Sequence, residues 1–329
     1  MGKLKTFVII GIVLFIVNAY FNNQYANNHH PIQLSDEGKI LLSKLNNNQL
    51  ESIKPLANDL KGDTIVESVW NIILWENKHI HYNYDKLHRN NELLSYEEYE
   101  KYIQYPSDTL AKKSGVCVDY AVLTAGLLLD MGYDPYIIMV DDIRSAQSGH
   151  SFCAVNIDGK IYALDQHPPI ERLDHHIETL TLEGTILPDI KRIKFYYFWK
   201  ENNTIKCMEG MLPNYWDSND TSTLVDYKSI ENDITNYFQN KYGYTIDYNI
   251  NNMENKEYLP EGYKSGVYIH NEISHLYPIF GTYYGKWLDE AYSEEGKDYY
   301  INFKKYNRIF TKIKHKNNTY CIYIYLAKK

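Results

Sequence analysis

Apolar residues recur with a helical period in the first part of the chain, with a strand period in its middle, and less regularly beyond about residue 204. Ile65, Val69, Ile72, Ile73 and Ile80 share one face and predict a helix from Thr64 to Ile80, with Thr64 as its cap. Ser35 caps a second predicted helix that carries Ile40, Leu41, Leu42 and Leu45. Val116 to Met131 is apolar on most sides, with Ala121, Ala125 and Gly126 set among Leu123 and Leu127. Such a helix is buried, and Gly132 suits its C-terminal stop. Tyr82 and Tyr84 leave the Thr64 helix in an Asn/Asp-rich turn, and Glu92 to Ile103 reads as a Tyr-rich surface helix or loop. Strands are predicted at Pro135–Val140, His150–Ile157 and Lys160–Asp165, the last two joined by an Asp158-Gly159 hairpin turn. Phe195–Trp199 is also strand-like. Further on, Val225–Phe238 reads as an amphipathic helix, and Phe303–Ile313 and Tyr320–Leu326 as strands about a turn at Lys316-Asn317-Asn318.

This pattern divides the chain into four parts: residues 1–22, an apolar leader; 23–50, a linker and first helix; 51–200, the patterned domain; and 201–329, a C-terminal α+β region. Lys3 and Lys5 precede an uncharged stretch from Thr6 to Phe21 that is densest between Phe7 and Val17. Its dense part fits a signal-peptide core of about 7–15 residues, with Val17-Asn18-Ala19 suited to cleavage. An uncleaved signal anchor is the alternative, and either way the lysines stay inside and the rest is exported. The sequons at Asn202, Asn219 and Asn317 add little in an Asn-rich chain.

With 23% charged and 44% hydrophobic residues over 329 positions, the chain is neither wholly disordered nor a polytopic membrane protein. A net charge of −8 argues against nucleic acid as a partner. Tyrosine is in excess, 33 against 10 Phe, which predicts many half-buried rings. Cys117, Cys153, Cys207 and Cys321 form no C-x-x-C pair, and no nucleotide-binding glycine loop is present, so no metal and no cofactor is expected.

Chemistry concentrates at three residues. Cys117 opens the buried helix, where the helix dipole and free backbone N–H groups favour a thiolate and an oxyanion formed at it. With Ile157 opposite Lys160 across the hairpin, Asp165 falls opposite Phe152, so His150 and Asp165 are diagonal neighbours on one sheet face. The apolar remainder of that face, Phe152, Ala154, Ile161 and Ala163, is expected to pack on the Cys117 helix. A structural His–Asp hydrogen bond is one reason for two polar side chains there and a Cys–His–Asp relay the other: in the relay His150 takes the thiol proton and Asp165 orients it. Cys153 has the opposite parity and is expected in the core. His79, His81, His175 and His176 lack metal-ligand spacing and read as solvated polar residues; His167, on the face of Asp165, reads as a loop residue held by the following prolines, with assistance to His150 the alternative, and Asp119 reads as a helix cap.

Ser114-Gly115-Val116-Cys117-Val118-Asp119-Tyr120-Ala121, then Gly149-His150, then Asp158-Gly159-Lys160-Ile161-Tyr162-Ala163-Leu164-Asp165 resembles the transglutaminase-like superfamily. The helix with Trp70 and Trp75 and the following Ile80-His81-Tyr82-Asn83-Tyr84 resemble its lead-in, so the likeness covers roughly Ile65 to Pro169. It implies an α+β fold with a papain-like core, the cysteine on a buried helix packed on an antiparallel sheet, and a Cys117–His150–Asp165 triad. It also implies acyl transfer on amides. Expected is a cysteine peptidase or amidase at the cell surface, tethered to the membrane or secreted, acting on protein or peptide, with cell-wall peptide among the candidates. Transglutaminase-type cross-linking or deamidation and an inactive surface-binding module are the alternatives. Tyr82 stands where family members often place an aromatic that assists the oxyanion; a packing tyrosine is the other reading.

Overall fold

The computed structural model describes residues 34–88, 95–142, 149–182, 190–212, 225–253, 259–316 and 319–329. The apolar leader, the Asn219 and Asn317 sequons and the Asn317-Asn318 turn lie outside these. Among the described residues, no helix is long and apolar enough to cross a membrane.

The first three helices start where short polar side chains cap them. Ser35 accepts from the Gly38 N–H at the head of α1 (Asp36–Lys44), Asn46 from the Gln49 N–H at α2 (Asn47–Leu60), and Thr64 from the Glu67 N–H at α3 (Ile65–His79). A two-residue strand, β1 (His81–Tyr82), and α4 (Tyr84–His88) follow. Then come α5 (Tyr96–Tyr102), α6 (Pro106–Lys112), β2 (Ser114–Gly115) and the central helix α7 (Cys117–Met131). All residues of α7 from Val118 to Leu129 are buried, against α2 and the sheet. Gly132 ends it at φ +92°, with the Tyr133 N–H donating back to the Leu128 carbonyl. A Cβ at Gly132 would meet nothing within 4 Å. Gly132→Ala therefore isolates backbone strain and is expected to lower unfolding stability by about 1 kcal/mol, read as a lower urea midpoint at unchanged slope. An unshifted midpoint would contradict this account of the helix stop.

The main sheet is antiparallel and six-stranded. Its strands are β3 (Pro135–Asp142), β4 (Gly149–Ile157), β5 (Lys160–Leu164), β6 (Glu171–Arg172), β7 (Ile190–Glu201) and β8 (Thr204–Leu212), in the order β6-β5-β4-β3-β7-β8. Helix α8 (Leu173–Leu182) follows β6. Ile157 pairs with Lys160 and Cys153 with Leu164, the register expected from Asp158-Gly159, whose φ values are +51° and +80°. Because β8 is the sheet's edge, the sheet extends past residue 200 to Leu212.

Both faces of this sheet are buried. Cys153, Val155, Ile157 and Leu164 face α7, whereas Phe152, Ala154 and Ala163 face Leu173, Ile177 and Leu180 of α8. The face shared by His150 and Asp165 thus packs on α8, not on the Cys117 helix as expected. Parity separates the two faces of a strand but does not say which helix covers which face when both are apolar.

The C-terminal region builds a second sheet. Helix α9 (Tyr227–Tyr242), β9 (Thr245–Ile246), β10 (Ser265–Ile273), α10 (Gly281–Tyr292), β11 (Arg308–Lys316) and β12 (Thr319–Lys328) give strand order β10-β12-β11-β9. Ile230, Ile234 and Phe238 of α9 bury against Ile309, Ile322 and Ile324. Trp70 of α3 stacks on Tyr283 at 5.8 Å and meets the edges of Phe280 and Tyr284, so one apolar core runs through both sheets.

Candidate active site

The turn before Cys117 is built around a buried carboxylate. Val116 occupies the cap position of α7 and has no side chain to accept from the helix's first N–H groups. Asp119, at 0% exposure, reaches back instead and accepts from the Val116 N–H at 2.8 Å. It also accepts from the Gln104 N–H at 2.8 Å, the Gln104 Nε2 at 2.9 Å and the Lys86 ammonium at 2.5 Å. Asp119 is therefore more than a cap, since it ties α7 to the segments carrying Lys86 and Gln104. A Cβ on Gly115 would stand 2.8 Å from the Asp119 Cβ, which is why glycine precedes Val116.

The two-residue pairing of β1 with β2 sets Tyr82 beside Gly115, and the Asn83 N–H donates to the Gly115 carbonyl at 2.9 Å. This brings the half-buried Tyr82 hydroxyl into hydrogen-bonding contact with both the backbone N–H and the thiol of Cys117. Burial first, then the neighbouring Cys117, push its phenol well above the usual range and keep it a proton donor. The backbone N–H of Cys117 and the Tyr82 hydroxyl lie side by side next to the sulfur.

Cys117, His150 and Asp165 come together. His150 Nε2 donates to Asp165 Oδ2 at 2.6 Å, and the His150 side chain is within hydrogen-bonding reach of the Cys117 thiol. With Nε2 engaged by Asp165, Nδ1 is the nitrogen left for the sulfur. The side chains of His150 and Asp165 are 11% and 14% exposed. Burial disfavours the imidazolium, but the Asp165 charge and hydrogen bond, with a smaller share from Cys117, raise the His150 pKa well above its ordinary value. Burial likewise works against the Asp165 carboxylate, and the His150 charge and hydrogen bond followed by those of His176 outweigh it, so Asp165 stays ionised.

His175 and His176 overturn the expectation of solvated polar residues. His176 Nε2 lies 2.9 Å from Asp165 Oδ2 and its Nδ1 3.4 Å from Glu171 Oε2, and its ring stands edge-on to Phe152. His175 is held by Arg172 and Tyr277. Sequence reasoning also passed over Glu171 and His275, because nothing in their spacing announces a contact made only by folding. His150, Asp165 and His176 bring ligand-type atoms within 4.8 Å of one another. Both nitrogens are aimed at the one shared carboxylate oxygen, as proton donors would be. The His167 ring is bonded to Asn77 at 2.7 Å and His79 stacks on Trp75. Cys153 is wholly buried as expected, and all four cysteines are free thiols.

Residues 51–196 match the family described as a transglutaminase-like domain. A UPF0252 protein of Pyrococcus horikoshii is 37% identical over 138 residues, which are 42% of this chain and 41% of that protein. A UPF0252 protein of Archaeoglobus fulgidus is 28% identical over 277 residues, 80% of each chain. The crystal structure of a putative cysteine protease from Cytophaga hutchinsonii is similar with a TM-score of 0.28 at 13% identity, over 51% of this chain and 53% of that one. The α+β fold, the ordered motif pieces and the family match agree that residues 51–196 form a transglutaminase-like domain.

Proposed function

We propose that the chain is a thiol enzyme that transfers acyl groups from amides, with Cys117 as nucleophile, His150 as acid and base, and Asp165 as its orienting carboxylate. The observation that carries this reading is the hydrogen-bonded line from the Cys117 thiol through His150 to Asp165 at the mouth of the sheet. The Cys117 sulfur attacks the amide carbon while the oxyanion is met by the Cys117 N–H and the Tyr82 hydroxyl. The His150 imidazolium gives its proton to the leaving amine, and a thioester remains on Cys117. His150 then takes a proton from water, the hydroxide attacks the thioester, and the carboxylic acid leaves with the thiol restored. Hydrolysis of peptide or isopeptide bonds is the simplest outcome, because water needs no second binding channel. The apolar leader supports an exported enzyme, with peptide at the cell surface as its substrate class.

The test is the pH dependence of Cys117 alkylation by iodoacetamide on the full chain, read by peptide mass spectrometry beside His150→Ala. Labelling at about pH 6 is expected to run at least ~10-fold faster than that of a free thiol, and to lose that advantage in the variant. Cys207, whose thiol burial pushes up to about 12, serves as a slow internal reference. Labelling no faster than a free thiol's, and unchanged by the mutation, overturns the proposal. Ammonia release and amine incorporation on a glutamine peptide then separate deamidation and cross-linking from proteolysis.

A further inference from the structure

The triad does not end at Asp165. Its Oδ2 accepts two imidazole N–H groups, from His150 at 2.6 Å and from His176 at 2.9 Å, while Oδ1 accepts from Gln166 Nε2 at 3.2 Å. The second nitrogen of His176 points to Glu171 Oε2, and the other oxygen of Glu171 lies 3.3 Å from His275 Nδ1. His275 belongs to the segment after β10, more than 100 residues along the chain. There it stacks on His175 at 3.9 Å. Two positions on, the Tyr277 hydroxyl accepts from the Arg172 N–H at 3.0 Å and bonds His175 Nδ1 at 2.7 Å. The side chains of His176 and Glu171 are 13% and 9% exposed.

We propose that the C-terminal region is a working part of the active site: His275 fixes Glu171, Glu171 fixes His176, and His176 is a positioning residue that holds the Asp165 carboxylate in line with His150. This inference rests on the triad reading above and gives the C-terminal region a role in it.

The proton count supports it. An ionised carboxylate only accepts, so a ring placed between two of them must donate from both nitrogens, which only the imidazolium does. Burial opposes that charge, but the hydrogen bonds and charges of Asp165 and Glu171 outweigh it and raise His176 to about 9. Glu171 is held at about 2, burial again being outweighed by His176 and His275. The groups facing His176 are Asp165, Glu171 and, across the shared oxygen, His150; those beyond are His275, His175 and the Arg172–Asp174 pair. On losing its proton, His176 has one N–H for two carboxylates, and one end of the link must open.

The test uses the full chain carrying histidine labelled at Cε1, with the His176 resonance assigned by its loss in His176→Gln, and alkylation of Cys117 by iodoacetamide in parallel. His176 is expected to titrate near 9. In Glu171→Gln, which removes one of its two anions, the midpoint should fall by about one pH unit or more. Alkylation at neutral pH should slow by at least about threefold in His176→Ala and in His275→Ala, and recover in His176→Gln, whose amide still donates to Asp165. A folded His176→Ala with an unaltered alkylation profile overturns the inference, as does His176 titrating at an ordinary histidine's position. Should His176→Ala not fold, an unmoved His176 midpoint in Glu171→Gln overturns it instead. Failure of this inference alone leaves the wild-type thiol fast and its variants equally fast; a wild-type thiol no faster than free cysteine overturns both readings.

Discussion

Asp165→Asn is expected to remove most of the activity while the fold stays intact. The substitution preserves shape, and the asparagine oxygen can still accept from one imidazole. What it removes is the negative charge that two rings share, at 2.6 and 2.9 Å. His150 is raised well above its ordinary pKa chiefly because the Asp165 charge and hydrogen bond outweigh burial. With the charge gone, burial acts on His150 unopposed by its main partner. The sign follows: a raised histidine keeps its proton to higher pH, so loss of Asp165 moves the alkaline limb of turnover, which needs the His150 proton for the leaving amine, downward. Neutralising the carboxylate of a Ser–His–Asp triad costs about 10⁴ in turnover, and a loss of roughly 10²–10⁴ is expected here. Turnover of a peptide substrate and the alkylation profile, measured on the same preparation, decide it. Turnover within about threefold of wild type, with the limb in place, would show that Asp165 does not work through His150.

The residues of that relay were legible because each rests on local rules. The Asp158-Gly159 turn fixes one hairpin register, the register fixes the diagonal between His150 and Asp165, and the apolar run with its terminal glycine fixes a buried helix behind Cys117. The covering of the sheet was not legible, because Phe152, Ala154 and Ala163 on one face are as apolar as Cys153, Val155 and Leu164 on the other. Helices α2, α4, α6, α8 and α10 also went unread. α2 contains Pro55 and starts among asparagines, which masks it, although Leu50, Ile53, Ala57 and Leu60 keep a helical period and reach the core. α6 starts on Pro106, a residue suited to a first helical position, and follows no capping side chain. His176, Glu171 and His275 follow no spacing rule at all. The contact of His275 with Glu171 depends on the second sheet docking on the first, and that docking is carried by large rings such as Trp70, Tyr283 and Tyr284 rather than by a pattern.

One titratable group in the core went unread in the sequence and gives the second large effect. Glu76 stands four residues after Ile72 and four before Ile80, on the apolar stripe of α3, and is 0% exposed. Its partner is the Thr124 hydroxyl, 2.8 and 3.0 Å from its two oxygens, and that hydroxyl is also 2.9 Å from the Tyr120 carbonyl. One hydroxyl proton cannot serve three acceptor oxygens. If Glu76 is protonated, its own O–H donates to Thr124 while Thr124 donates to Tyr120, and both contacts are satisfied. Burial accordingly lifts Glu76 from 4.5 to about 8, with Thr124 opposing only in part. An acid raised on folding binds its proton in the native state and releases it in the unfolded chain between these two values. Stability is therefore whole below about pH 4.5 and falls as pH rises, until the folded group also ionises near 8. Glu76→Gln keeps an acceptor and a donor for Thr124 and abolishes the titration. At pH 8 the variant is expected to be more stable by on the order of 3–5 kcal/mol, a rise in melting temperature of roughly 6–15 °C, and near pH 4.5 the two proteins should melt together. Melting curves of both proteins across that pH range decide the matter: two profiles running parallel throughout would mean that Glu76 is ionised in the folded core, and that the helix bearing Cys117 packs against a buried charge.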